Sequence, residues 1–146
     1  MSTEGHYPEA EKVERETLDI QRRVLGPDHP NTPGTMEVLG TTLPDGHHYP
    51  EAERLLRKTR DLEQRVFGPY SSYTASSTYN LACVAARRHH PDEALALLGE
   101  AIDHGLAPSE ALGMEKDPDL KSLHGDPRLA ALVAHAKERG AALKPN

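Results

Sequence analysis

"HHYPEAERLLRKTRDLEQRVFGP" (residues 47–69) repeats the wording of "GHYPEAEKVERETLDIQRRVLGP" (residues 5–27). Laid over one another without a gap, residues 6–27 and 48–69 agree at 13 of 22 positions, at an offset of 42 residues. The interval continues beyond them. Ala10, Ala52 and Ala94 are each 42 apart and each follow a glutamate, and Leu39-Gly40 maps onto Leu81-Ala82. Self-similarity at a fixed period marks stacked units that cannot bury their apolar faces alone. The spacing therefore predicts an all-α, single helical-repeat domain of about 2.5 units. Its parts are a half repeat over 5–27, repeats over 31–69 and 71–105, and a turn-rich segment with a capping helix over 106–146.

The ends of each long helix are written in residue types. Pro8 and Pro50 stand in the first turn, where a missing N–H costs nothing, and acidic neighbours there suit the helix dipole. Arg23 and Arg65 fall in the last turn, and Gly26-Pro27 and Gly68-Pro69 supply a left-handed cap and then a stop. Between these marks Tyr49, Ala52, Leu55, Leu56, Leu62 and Val66 recur at helical spacing. The first unit keeps Tyr7, Ala10, Val13, Ile20 and Val24, but Glu14 stands where Leu56 does, so its apolar face is weaker. A shorter helix precedes each long one: "NTPGTMEVLGTTL" (31–43) and "SSYTASSTYNLACVAARR" (71–88) both open on good N-caps. The former, with Gly34, Gly40 and several Thr, is expected to be short or frayed. Near the C-terminus, Asp117-Pro118 and Asp126-Pro127 each read as a cap followed by a first helical residue, and Leu129, Leu132, Val133 and Ala136 form a last apolar stripe.

Composition narrows the function classes. Hydrophobic residues are 36% of the chain and aromatics 4%, with no Trp, which suits thin layers of Leu, Ala and Val rather than a thick core. The net charge of −6, with both signs interleaved, argues against a nucleic-acid footprint. No apolar run is long enough for a membrane helix, and the N-terminus lacks the basic-then-apolar order of a secretory signal, so the expected location is cytoplasmic. The single cysteine, Cys83, forms no internal disulfide and no CxxC motif, and reads first as a small packing residue.

Paired helices with Leu-(Gly/Ala) on the first, Tyr-x-Glu-Ala opening the second, and a "VLGPDHPNT" link resemble tetratricopeptide repeats of the 42-residue, kinesin-light-chain-like kind. The resemblance covers roughly residues 5 to 140. The stretch from Tyr79 onward is also similar to the C-terminal ends of large bacterial tetratricopeptide proteins, some of which carry a Ser/Thr kinase domain. The resemblance implies a right-handed superhelical stack of antiparallel helix pairs whose short helices line a concave, partner-binding groove. It also shows departures: His89-His90-Pro91 replaces the usual Gly-x-Tyr, Pro44 cuts a short helix, and the first unit lacks its short helix.

Catalysis finds no support in the motifs. There is no HExxH, no Gly-x-Ser-x-Gly elbow, no glycine-rich phosphate loop and no kinase motif. His6, His47, His48, His89 and His90 all precede long helices, but stacked helices lie about 8–10 Å apart and a metal needs donors at about 2 Å. They read as solvated histidines at helix starts, with His48–Glu51 and His90–Glu93 as at most weak ion sites. Expected are no catalytic residue, no metal and no cofactor. The carboxylates of "EAERLLRKTRDLEQR" read as a salt-bridged, solvated face.

Binding remains. The family's carboxylate clamp would place Asn80 at a position often held by Asn, but residues 31–46 contain no Lys or Arg, and Glu37 stands where a base is wanted. The expected groove is instead mixed and slightly acidic, formed by Glu37, Thr41, Tyr79, Asn80, Cys83 and Arg87, and suited to a peptide partner bearing basic residues. Tyr79 reads equally well as core and Asn80 as a local backbone partner. The competing expectation is self-association. Tyr7, Val13, Ile20 and Val24 on the first long helix would be half exposed, and either a homodimer forms there or the chain is the tail of a larger protein.

Overall fold

Prolines open the helices. The computed structural model of the protein describes residues 7–24 and 48–143. Within them α1 spans Tyr7–Val24, α2 Tyr49–Phe67, α3 Ser72–Arg87, α4 Pro91–Asp103, α5 Pro108–Leu112 and α6 Pro127–Leu143. Two 3-10 turns, Met114–Lys116 and Pro118–Leu123, join α5 to α6, and no strand occurs among the described residues. Proline stands in the first turn of α2, α4 and α5. Gly68, at φ +95°, closes α2 by donating its N–H to the Gln64 carbonyl. Ser71 then starts α3, its Oγ accepting from the Tyr73 N–H at 3.2 Å. Both Asp-Pro pairs act as caps: Asp117 Oδ1 accepts from the Asp119 N–H at 2.9 Å and Asp126 Oδ1 from that of Arg128 at 2.8 Å. The short helix expected over 31–43 and the Gly26-Pro27 stop lie outside the described residues.

α3 is the hub. Ten of its 16 residues are buried, and it packs against α2, α4 and the Pro118–Leu123 turn, so solvent reaches little of its surface. Small side chains set the helix spacing: Ala52, Ala82, Ala86, Ala94 and Ala101 are all fully buried. Leu56, Leu81, Leu98, Leu120, Leu123 and Leu129 fill the spaces between them. The period-42 alanines thus mark contact points in α2 and α4. α6 lies across α4 and α5. It buries Leu129, Val133 and Ala136 and packs Leu132 against the core, as the C-terminal stripe predicts. Inside α2, Glu63 is buried and accepts a 2.6 Å hydrogen bond from Ser77 Oγ, which ties α2 to α3 by a polar link in an apolar layer.

The surface repeats as the core does. Arg15 bridges Glu11 of its own helix at 2.8 Å and Glu51 of α2 at 2.5 Å. Forty-two residues on, Arg57 bridges Glu53 at 2.9 Å and Glu93 of α4 at 3.2 Å. Such exposed pairs are individually worth about 0.2–1 kcal/mol, so the ladder sets register more than stability. The third position in the series is Gly99. A Cβ there would sit 3.5 Å from Leu132 of α6, so the ladder stops where the capping helix comes down.

Candidate functional site

Four of the six groove residues lie on α3, and the structure brings three of them to one place. Tyr79, Cys83 and Arg87 are four residues apart along α3 and share a strip that faces the Asp117–Leu123 segment. Tyr79 is half-buried and donates its hydroxyl to Asp117 Oδ2 at 2.5 Å. Arg87 lies 3.6 Å from Asp119, and its guanidinium sits 5.5 Å above the Tyr49 ring of α2. Cys83 lies between them and is buried. Ser122 Oγ adds a bond to the Ala86 carbonyl at 3.1 Å. Asn80 is half-buried on the neighbouring strip. Glu37 and Thr41 lie outside the described residues.

The electrostatics follow from this closure. Burial, the Asp117 hydrogen bond and the carboxylates nearby push the Tyr79 hydroxyl far above the usual phenol range. Burial, reinforced by Asp117 and Asp119 and opposed by Arg87, raises the Cys83 thiol well above its ordinary value. The thiol is therefore neutral and poorly nucleophilic at pH 7.

Cys83, Asp117 and Asp119 place one donor atom each within 4.8 Å of one another, which is metal-ligand spacing. The two carboxylates already have protein partners, however. Asp117 accepts hydrogen bonds from the Tyr79 hydroxyl and the Asp119 amide, and Asp119 pairs with Arg87. The cluster reads as a lock that docks the 3-10 segment on α3. Sequence reasoning takes Asp117 only as a cap, because its Tyr79 bond spans 38 residues with no local signal.

Beside Tyr79 the surface opens into a shallow hollow of about 360 Å³, lined also by Glu110, Lys116 and Asp117. The histidines at helix starts are exposed, as expected: His48 lies 3.8 Å from Glu11 and His90 3.5 Å from Glu93. His6 and His47 are outside the described residues. No described helix is long and apolar enough to cross a membrane.

The tetratricopeptide repeat family matches twice, over residues 45–104 and over residues 2–31. No curated protein matches the sequence significantly. Among solved structures, BtubC (BKLC) from P. vanneervenii superposes with a TM-score of 0.75 at 18% identity, over 97% of this chain and 61% of that one. A candidate kinesin light chain from Podosopora anserina, built of nearly identical TPR-like repeats, superposes with a TM-score of 0.72 at 16% identity, over 97% of this chain and 71% of that one. The chain thus spans about three fifths of the length of the first of these structures, and the likeness is one of fold: a tetratricopeptide solenoid of the kinesin-light-chain kind.

Proposed function

The chain belongs to the tetratricopeptide repeat family, and from that premise we propose that it is a non-catalytic module that holds a peptide on the concave, α3 side of the stack. Tetratricopeptide repeats generally mediate protein–protein interaction, and the family is typically non-catalytic. The observation that carries the reading is the rim of the α3 strip: Tyr79, Asn80 and Arg87 stay half-buried where Cys83 is covered by the Asp117–Leu123 segment, and Tyr79 borders a hollow edged by Glu110, Lys116 and Asp117. The two carboxylates of that edge favour a peptide with basic side chains. The test is selection of peptides from a displayed library on the wild-type chain, followed by titration into the Asn80→Ala/Arg87→Ala variant. The expected result is a loss of roughly tenfold or more in affinity with the circular dichroism spectrum unchanged. Equal affinity in the folded variant would move the site off this face.

Self-association through α1 is a second reading. Val13 and Ile20 are 61% and 53% exposed on a helix whose one buried apolar side chain among the described residues is Leu18. A stripe of that kind on a repeat protein suits contact with a second copy.

A further inference from the structure

A groove of about 620 Å³ runs between α1 and α2, on the side of α1 away from Val13 and Ile20. Leu18 and Leu55 make its apolar floor, and Arg15, Arg22, Arg54 and Lys58 stand along its walls. Counting Arg57, five cationic side chains line it against three carboxylates, Asp19, Glu51 and Asp61, in a chain whose net charge is −6. Several of these charges are already spent. Arg15 and Arg57 belong to the interhelical ladder with Glu51 and Glu93, and Asp19 pairs with Arg23 at 3.2 Å. Arg22, Arg54 and Lys58 make no ion pair among the described residues. Arg54 and Lys58 are exposed one helical turn apart on α2, and Arg22 faces them from α1.

Among the described residues, three unpaired cations against one unpaired carboxylate, Asp61, leave the surround of this apolar floor net positive in a chain that is net acidic. From this juxtaposition we infer that the α1–α2 groove is a second docking surface, for an acidic peptide segment whose carboxylates meet Arg22, Arg54 and Lys58 while an apolar side chain rests on Leu18 and Leu55. Charge complementarity identifies the occupant. A continuous phosphate backbone would set its charges against Asp19, Glu51 and Asp61 as well, whereas carboxylates at peptide spacing can avoid them. Binding through partly exposed charges should be fast and salt-sensitive. The surface is separate from the α3 strip of the proposed function and calls for a partner of the opposite charge.

The test uses the full chain and a short fluorescein-labelled peptide of alternating leucine and glutamate pairs, with a leucine–lysine peptide and a single-stranded oligothymidylate as comparisons. Anisotropy should show the acidic peptide binding alone, weakening as salt rises. Affinity should fall roughly tenfold or more in an Arg22→Glu/Arg54→Glu/Lys58→Glu variant that retains the wild-type helix content. The Asn80→Ala/Arg87→Ala variant should bind the acidic peptide as the wild type does. Wild-type affinity in the charge-reversed variant, tighter binding of the oligonucleotide, or loss of binding in the Asn80/Arg87 variant would each overturn the inference. Should the triple variant fold poorly, Arg54→Gln/Lys58→Gln, both exposed on one helix, serves the same purpose.

Discussion

Cys83 shows how far one side chain's chemistry is set by what folds over it. A thiol under Leu, Ala and the carboxylates of Asp117 and Asp119 stays protonated where a free one ionises at about pH 8.5. Its folded value is raised, so it contributes stability that is intact below the unfolded value and lost as pH climbs past it, because only the unfolded chain then releases the proton. Tyr79 acts in the same direction from about pH 10 upward. The midpoint of urea unfolding should therefore fall as pH rises from 8 to 11, and iodoacetamide should label Cys83 at pH 8 no faster than the chain unfolds. Prompt labelling of the folded protein would mean that the Asp117–Leu123 segment does not cover α3. Replacing Tyr79 by Phe should flatten the upper part of the pH profile while leaving the lower part in place.

At the scale of elements, Gly99 separates two effects that a repeat usually confounds. It occupies the ladder position of Arg15 and Arg57 but faces Leu132 of α6 rather than another long helix. Gly99→Ala puts a methyl at ordinary contact distance and removes a mid-helix glycine, so it should stabilise by about 0.5–1 kcal/mol. Gly99→Arg restores the repeat's own residue and should destabilise by about 1–3 kcal/mol, because the side chain must displace α6. Urea titrations of both variants decide the matter, and stabilisation by arginine would show that α6 does not cap α4. The same position illustrates what the sequence can tell. Period 42 reveals the units, their prolines and their stops, since these are local requirements of the backbone. The Leu129–Ala136 stripe reveals the cap. The docking of the 3-10 segment on α3 has no such signature, because Asp117 already caps the Pro118–Leu123 turn through the Asp119 N–H and its second partner lies in a different helix. The α1–α2 groove was hidden for a related reason: Arg22, Arg54 and Lys58 look like ordinary members of a charged helix face until the ladder has used up their neighbours.

At the scale of the molecule, burial among the described residues is greatest in α3 and α4 and falls away towards α1. α3 is enclosed on three sides and α4 buries six of its 13 residues, whereas α1 keeps Val13 and Ile20 in solvent. In a stack where each unit leans on its neighbours, local opening follows that grading. Amide exchange followed by mass spectrometry should thus find α1 fastest and α3 and α4 slowest at low protein concentration. Self-association makes a distinct forecast for the same amides: α1 should slow as concentration rises, in step with a shift from monomer to dimer mass by light scattering. Val13→Glu/Ile20→Glu should abolish both changes and leave α3 exchange untouched, because neither side chain supports the hub. If α1 exchanges at one rate across the concentration range and the mass stays that of a monomer, the α1 stripe is not a pairing surface. Both proposed docking surfaces, the α3 strip and the α1–α2 groove, would then have to be tested on a single chain.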